Sequence, residues 1–366
     1  MNLQDEDFMR VALNLARNAI GRTSPNPLVG AVIVREGRIV GAGWHRKAGT
    51  PHAEIHALNM AGDLAKGATL YVTLEPCSHY GRTGPCAEAV VKAGIKRVVI
   101  GMGDPNPKVA GKGIAILKRA GIEVRCGVLE DEARALNEVF LKWIAVQKPF
   151  VVLKTAMSLD GKIATYTGKS QWITGEAARR RVHEYRDTYD GIMVGIGTVL
   201  ADNPSLTARL PDGQGKNPVR IVVDSKARTP LDAKLVTDGA ALTIIAVTAK
   251  ASQERVQALK DKGVAIMVVG DGEQVDMDLL MRKLGEMEIC SVLVEGGGQV
   301  NFSLLKAGLV DKVHAFIAPK LIGGREALTP VEGEGFAELT EAVELERTTV
   351  ETIDQDILLT GYVKGR

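Results

Sequence analysis

The alternation of short apolar segments with amphipathic segments, which starts afresh near residue 150, constrains the fold more than any other feature. Short apolar runs predict strands, and apolar residues recurring every three to four positions predict helices. The first half is predicted to contain strands at 28–34, 38–43, 69–74, 97–101 and 123–126. Helices are predicted at 5–20, 52–61, 86–93, 113–120 and 130–146. Alternation of this kind indicates a three-layer α/β domain.

The second half repeats the α/β pattern without repeating the sequence. About eight strands are predicted, at 150–157, 191–196, 219–224, 241–247, 264–269, 290–294, 312–318 and 356–363. Helices are predicted at 176–187, 252–261, 276–285 and 299–307. Pro149 disfavours continuation of the preceding helix, and 366 residues exceed the roughly 250–300 that one core usually supports. We therefore predict two domains, 1–147 and 148–366.

The charge and cysteine content exclude several classes of protein. The formal net charge of +2, from 46 Lys+Arg and 44 Asp+Glu, gives no basic field for nucleic acid or an anionic membrane. No apolar run approaches the ~20 residues of a membrane span, and we see no secretion signal at the N-terminus. Four scattered cysteines do not make a disulfide scaffold. We expect a cytoplasmic protein, with Cys126 and Cys290 as buried thiols.

Three short segments carry the types of residue that bind zinc. His52, Cys77 and Cys86 offer one imidazole and two thiolates, which leaves a fourth tetrahedral position for water. Zinc at such a site lowers the pKa of bound water, and Glu54 is placed to move protons beside it. The sequence therefore predicts a catalytic zinc site with Glu54 as the catalytic acid/base.

These residues allow two other interpretations. A structural zinc site would need a fourth protein ligand, and none lies at suitable spacing. His52 and His56 stand four apart, as in a two-histidine zinc protease, but Ala53 occupies the position of that motif's glutamate. The catalytic interpretation is favoured over both.

The segments around these residues resemble the zinc-dependent nucleobase deaminases. Eight residues separate Cys77 from Cys86, and this spacing, with Pro76 and Pro85 before the cysteines, is similar to the riboflavin-biosynthesis branch. The segments 23–31 and 43–54 match the same branch. Gly84 departs from the pattern, where a proline is more usual. The resemblance implies a cytidine-deaminase-like fold for residues 1–147.

Five segments of the second half, in order, resemble the reductase half of the bifunctional riboflavin-biosynthesis deaminase-reductases. They are 154–162, 170–175, 197–204, 222–225 and 295–299. No G-x-G-x-x-G opens a βαβ unit, so a Rossmann domain is not supported. The resemblance implies a dihydrofolate-reductase-like α/β domain that uses NADPH.

The resemblance implies two steps on a small phosphorylated pyrimidine. The 2-amino group of a diaminopyrimidinone ribosylamine 5′-phosphate is hydrolysed, and NADPH then reduces the ribosyl group to ribityl. Substrate contacts are expected from Asn26, Arg82, Lys154, Ser170, Arg186, Leu206, Arg209 and Glu295. Cofactor contacts are expected from Ala156, Trp172, Thr198, Asp202, Ser225, Gly297, Gly298, Gln299, Val300 and Asn301. One zinc ion per chain and a homodimer or homotetramer are also implied.

Further expectations concern selectivity and secondary residues. Ser225, Lys226 and Arg228 follow a strand and are hypothesised to hold the 2′-phosphate of NADPH, provided that Asp224 points away. We expect His183, His314 and Trp143 to be packing or surface residues. We expect Asp160-Gly161 to form a turn. His45 is left open between substrate contact and loop support.

Three rival functions remain at this point. They are a nucleic-acid-editing deaminase with a binding module, a zinc-bearing structural or interaction protein, and a chain in which one half only is active. The near-neutral charge argues against the first and Glu54 against the second.

Overall fold

The computed structural model describes residues 3–78, 84–106 and 110–365. The chain divides into two compact units, Met1–Gln147 and Lys148–Arg366. In the residues described, no helix is both long and apolar enough to cross a membrane.

The first unit is a five-stranded sheet with helices packed on it. Its strands are β1 Gly30–Arg35, β2 Arg38–Trp44, β3 Thr69–Leu74, β4 Arg97–Met102 and β5 Glu123–Cys126. Its helices are α1 Leu3–Arg17, α2 Ala53–Ala61, α3 Cys86–Lys92, α4 Lys112–Arg119, α5 Glu130–Leu136 and α6 Glu138–Val146, with a 3₁₀ turn at Gly62–Ala65. The strand order is β2-β1-β3-β4-β5, with β1 antiparallel to both neighbours and β3, β4 and β5 parallel.

Close packing of α1 on the sheet fixes the core of this unit. A Cβ atom on Gly30 would lie 1.9 Å from the Ala12 carbonyl oxygen, so only glycine fits where α1 crosses β1. Leu13, Leu70 and Ile100 have no exposed surface. Burial of each such side chain stabilises the fold by about 1.5–3 kcal/mol.

The single helix predicted at 130–146 is wrong, because the structure has two helices separated at Asn137. The Asn137 side chain is buried and binds the distant Leu28 backbone. Its Oδ1 accepts from the Leu28 N–H at 2.8 Å, and its Nδ2 donates to the Leu28 carbonyl at 3.0 Å. The backbone leaves the helical conformation to make these bonds, with φ −107° and ψ 19° at Asn137.

The cysteine expectation is half right. Cys290 is buried, but Cys126 is exposed. Cys126 ends β5, the edge strand of its sheet, where no neighbouring strand covers the outer side.

The second unit is built on a larger sheet. Its strands are β6 Phe150–Ser158, β7 Gly191–Gly195, β8 Val219–Val223, β9 Thr243–Val247, β10 Ala265–Val268, β11 Ser291–Val294, β12 Lys312–Ala318, β13 Leu345–Ile353 and β14 Asp356–Val363. Its helices are α7 Glu176–Thr188, α8 Ile196–Asp202, α9 Lys234–Thr237, α10 Gln253–Asp261, α11 Met277–Glu286 and α12 Gly298–Lys306, with a 3₁₀ turn at Leu339–Glu341.

The strand order is β10-β9-β8-β7-β11-β6-β12-β14-β13. The first seven strands in this order, from β10 at the edge to β12, are all parallel. The nine strands exceed the predicted eight because β13 was missed. β13 is an antiparallel edge strand that is exposed on both faces for most of its length, so its sequence lacks apolar alternation. In parallel sheets ligands bind beyond the carboxyl ends of the strands, here those of β6, β7, β8 and β11.

Candidate functional site

Three potential metal ligands converge in the first unit. His52 directly precedes α2, Cys77 follows β3, and Cys86 begins α3. The Nδ1 atom of His52 lies 3.6 Å from the Cys77 sulfur and 3.3 Å from the Cys86 sulfur. All three ligand atoms lie within 4.8 Å of one another. The structure thus brings together the three residues for which zinc binding was predicted.

The geometry of this group fits a zinc ion. A nitrogen and a sulfur bound to one tetrahedral zinc lie about 3.6 Å apart, given bond lengths of about 2.0 and 2.3 Å. Hydrogen bonds from Cys86, including its backbone N–H at 3.3 Å, lower the pKa of Cys77 and favour its thiolate. The hydrogen bond with Cys77 and burial raise the pKa of Cys86, so this thiol keeps its proton until a metal displaces it. Within residues 3–78, 84–106 and 110–365, no fourth histidine, cysteine or carboxylate joins the group. Three ligands are typical of a catalytic zinc.

Glu54 lies in the first turn of α2, two residues after His52, and is 3% exposed. Burial raises the pKa of Glu54 to about 7, and the nearby His52 opposes the shift. A carboxyl group of this kind exchanges protons near neutral pH, which suits a general acid/base beside a metal.

A hydrogen-bond chain orients Asn26 at this site. The buried His45 ring contacts the Pro51 carbonyl oxygen through Nδ1 at 3.3 Å and Asn26 through Nε2 at 3.1 Å. The carbonyl can only accept, so Nδ1 carries the proton and Nε2 accepts from the Asn26 amide. His45 therefore supports the loop that leads to His52. Arg82, the other predicted deaminase contact, lies outside the described residues.

Glu75 is a buried residue of this site whose role sequence reasoning missed. Its carboxylate accepts backbone N–H groups of Asp104 at 3.3 Å, Gly111 at 3.0 Å and Ile114 at 3.1 Å. These bonds fix the chain two residues before Cys77. A glutamate in an otherwise buried segment was the only signal in the sequence.

The second unit contains a cavity of about 1170 Å³ at the carboxyl ends of its parallel strands. Every residue predicted for the reductase substrate and cofactor lines this cavity. Most of these residues belong to the five segments named above, and Arg186, Leu206, Arg209, Val300 and Asn301 lie outside them; the fold brings all of them to one cavity.

A buried carboxylate organises the substrate end of the cavity. Glu295 directly follows β11, and its carboxylate accepts hydrogen bonds from Nε and Nη2 of Arg186, at 2.7 and 2.9 Å. The Lys154 ammonium lies 3.7 Å from the same carboxylate. Burial would raise the pKa of Glu295, but Arg186 holds it below its ordinary value. Burial lowers the pKa of Lys154, against the opposing effect of Glu295.

The two predicted arginines differ in how they are engaged. Arg186 binds Glu295 and also donates to the Thr207 carbonyl at 3.1 Å, so part of its guanidinium is already used. Arg209 lies beside His183, whose Nδ1 accepts its backbone N–H at 3.3 Å. His183 lines the cavity, although the sequence placed it in packing or at the surface. Its position three residues before Arg186 on α7 was an available signal.

The cofactor end of the cavity has a half-buried glycine turn. Gly296 and Gly297 have φ of 149° and 90°, conformations that favour glycine, and they lead into the first turn of α12. Helix starts of this kind present N–H groups to phosphate. Trp172 is 63% exposed at the cavity, with the Arg179 guanidinium 4.6 Å from its ring centroid.

Each of the two units matches a known protein family. Residues 2–102 match the family described as the cytidine and deoxycytidylate deaminase zinc-binding region. Residues 149–359 match the RibD C-terminal domain. Together with the sites above, these matches define a zinc-binding deaminase joined to a reductase.

Full-length relatives identify the family. The riboflavin biosynthesis protein RibD of Actinobacillus pleuropneumoniae is 48% identical over 98% of this chain and 95% of its own. The solved Acinetobacter baumannii RibD, form 1, has a TM-score of 0.89 at 40% identity over 99% of both chains. The chain belongs to the RibD family and is a bifunctional riboflavin biosynthesis enzyme.

A further solved relative is known by both of its activities. It is a diaminohydroxyphosphoribosylaminopyrimidine deaminase/5-amino-6-(5-phosphoribosylamino)uracil reductase from Thermotoga maritima. Its TM-score is 0.87 at 38% identity, over 98% of this chain and 99% of its own. Family membership leaves the nucleic-acid-editing and structural-protein alternatives without support.

Replacing Glu54 by glutamine tests the deaminase site. We expect Glu54→Gln to keep one zinc per chain, because Glu54 is not a ligand, and to lower ammonia release at least about 100-fold, because the proton carrier is lost. Metal analysis and an ammonia assay measure the two effects, with Glu88→Gln on the exposed side of α3 as control. Loss of zinc together with the fold would instead assign Glu54 a structural role.

Proposed function

We propose that residues 1–147 deaminate 2,5-diamino-6-ribosylamino-4(3H)-pyrimidinone 5′-phosphate and that residues 148–366 reduce the product with NADPH. The observation that carries this proposal is the juxtaposition of His52, Cys77 and Cys86 with buried Glu54 in one unit, and the charged cavity in the other. The Thermotoga relative is described with the same two activities.

In the deamination, water replaces the 2-amino group and ammonia leaves. The chemistry that zinc supplies at such a site is activation of water for attack on the ring carbon. Glu54 takes the proton released by the attacking water and passes it to the ring nitrogen. It then moves the proton of the added hydroxyl to the amine, so that a ring carbonyl forms and ammonia leaves. Asn26, held by His45, orients the pyrimidine, and Arg82 contacts the same substrate.

In the reduction, the nitrogen of the ribosylamine loses its proton and the ring oxygen gains one, which opens the sugar to an imine at C1′. The imine then receives a hydride at C1′ and a proton at nitrogen. The nicotinamide cofactor supplies the hydride. Lys154 gives up a proton more readily than an exposed lysine, because burial lowers its pKa, and this suits proton donation to the sugar oxygen as the ring opens. Glu295 and Arg186 hold the ribose beside it, with Ser170 and Leu206 completing its contacts.

Phosphate binding falls mainly to Arg209 in this proposal. Its side chain is exposed at the cavity, and its Nη atoms make long contacts with Thr207 Oγ1 at 3.4 Å and His183 Nε2 at 3.3 Å. Three nitrogens of Arg186 bind Glu295 and Thr207 at the shorter distances of 2.7 to 3.1 Å. A guanidinium binds phosphate through two parallel hydrogen bonds. His183 lies against Arg209 and lines the same end of the cavity.

The cofactor occupies the other end of the cavity. The turn Gly297-Gly298 and the start of α12 hold its diphosphate through backbone N–H groups. The remaining cofactor contacts are Ala156, Trp172, Thr198, Asp202, Ser225, Gln299, Val300 and Asn301.

The side chains after β8 support a preference for NADPH over NADH. Ser225, Lys226 and Arg228 line the cavity. Ser225 Oγ accepts the Val275 N–H at 3.2 Å, which leaves its hydroxyl proton for a phosphate oxygen. The Asp224 carboxylate is buried, and its Oδ2 accepts from Thr229 at 2.7 and 2.8 Å. Its Oδ1 lies 3.5 Å from the Arg228 guanidinium, so Arg228 would be shared between Asp224 and the 2′-phosphate.

Free cysteines fit a reducing compartment, and we place the enzyme in the cytoplasm. Assembly as a homodimer or homotetramer stays a prediction from the family resemblance.

One assay on zinc-loaded protein tests the proposed reaction order. Given the diaminopyrimidinone ribosylamine phosphate, the protein is expected to release ammonia without NADPH and to oxidise NADPH when it is added. Ammonia and absorbance are recorded in the same vessel. NADPH oxidation before any ammonia appears would contradict deamination as the first step.

The double variant Ser225→Asp/Arg228→Ala tests cofactor selectivity. We expect kcat/KM for NADPH to fall at least about tenfold, with little change for NADH, because a charge pair to the 2′-phosphate is lost and a repulsive carboxylate is gained. Steady-state kinetics with both cofactors measure the ratio. Arg180→Ala, an exposed arginine paired with Glu176, is the control. An unchanged NADPH/NADH ratio would refute this assignment.

A further inference from the structure

The segment 170–175, which carries Trp172, reaches the cofactor cavity as a loop with no sheet or helix bonding of its own. Trp172 is 63% exposed, so core packing does not fix its position. Exposed loops are mobile unless hydrogen bonds hold them. An aromatic side chain that contacts a cofactor therefore needs a support elsewhere in the fold.

Lys320, two residues after β12, provides such a support. Its ammonium group donates to the Trp172 carbonyl oxygen at 3.0 Å and to the Ile173 carbonyl oxygen at 2.6 Å. Two consecutive carbonyls bound to one cation fix the peptide that follows Trp172. Hydrogen bonds from a charged donor are roughly twice as strong as neutral ones.

The backbone that carries Lys320 is itself held in place. Its carbonyl accepts the Leu159 N–H at 2.8 Å. The Asp160 carboxylate accepts the N–H groups of Ile322 at 3.1 Å and Gly323 at 2.6 Å. The Ser158 hydroxyl and these two N–H groups lower the pKa of Asp160 to about 2, so the anchor stays ionised. The Asp160-Gly161 turn therefore ties the Lys320 segment to the end of β6.

The far end of the Trp172 loop is held from a different element. The Gly175 N–H, at the start of α7, donates to the buried Asp356 carboxylate at 2.6 Å. Asp356 begins β14. The loop is thus fixed at its end by Asp356 and at its middle by Lys320. Arg179 also donates to the Thr174 carbonyl at 2.7 Å and lies over the Trp172 ring. Of these three residues, Lys320 is the one that binds the Trp172 backbone.

We propose that Lys320 is a positioning residue of the reductase, which sets Trp172 against the nicotinamide cofactor by binding the Trp172 and Ile173 carbonyls. The inference rests on the proposed cofactor contact of Trp172 and names the group that maintains it. A lysine that stabilised the fold alone would affect unfolding but would leave the geometry of bound cofactor unchanged.

The test is a titration of the zinc-loaded full chain with NADPH, in which energy transfer from tryptophan to the bound cofactor is recorded. The chain has three tryptophans, and Trp172→Phe isolates the share of Trp172. Lys320→Met removes the ammonium and keeps the chain length, and Lys320→Arg restores a cation. Lys364→Met, which removes an exposed lysine paired with Glu344, is the matched control. Thermal unfolding and ammonia release are measured for each variant.

We expect Lys320→Met to raise the Kd for NADPH about tenfold and to reduce energy transfer at saturation, with ammonia release unchanged. Lys320→Arg should recover the Kd to within about threefold, and Lys364→Met should match the wild type. The inference would be overturned if Lys320→Met kept the wild-type Kd and energy transfer while Trp172→Phe altered both. In that case the proposed contact between Trp172 and the cofactor would still hold. No effect of Trp172→Phe would overturn both. If Lys320→Met unfolds, the Lys320→Arg and Lys320→Gln variants decide by the same readings.

Discussion

Strands that run in the same direction are the constraint on which both sites depend, because their carboxyl ends bring residues from distant parts of the chain to one edge of a sheet. In the second unit, β7, β8 and β11 end close together beside the middle of β6, so Lys154, Ser225 and Glu295 meet around one cavity. In the first unit, Cys77 follows the end of β3 and lies beside His52, which precedes α2, and Cys86, which begins α3. The functional residues of the two sites extend over 240 or more positions of the sequence, and the fold brings them together in two small volumes.

Buried charge is the second requirement of the reductase cavity. The side chains of Glu295, Arg186 and Lys154 are 5%, 14% and 13% exposed. Loss of one partner from a buried pair typically costs about 3–5 kcal/mol, since the remaining charge is left without compensation. The bidentate Arg186–Glu295 contact meets this requirement without substrate, and it leaves Lys154 at a longer distance, available to a ligand.

The sequence predicted what is encoded locally. Zinc ligands and glycine turns have short patterns, and strand runs such as 69–74 and 123–126 coincide with β3 and β5. Prediction from the sequence failed where contacts between distant residues determine the secondary structure. Asn137 interrupts a helix to bind Leu28, and the edge strand β13 lacks the apolar alternation that identifies a strand. Lys320, Glu75 and His183 were missed for the same reason, since their partners lie far away in sequence or on a neighbouring segment. The positions of Trp172 and the other cavity residues came from motif resemblance, not from periodicity.

The central claim is that one chain contains two separate active sites that work in series. The most direct measurement supplies the Glu54→Gln chain with the already deaminated compound, 5-amino-6-(5-phosphoribosylamino)uracil, and records NADPH oxidation. We expect reduction at the wild-type rate, because Glu54 belongs to the first unit alone. Loss of reduction in a folded, zinc-loaded Glu54→Gln chain would contradict the account, since it would make the second reaction depend on the first site.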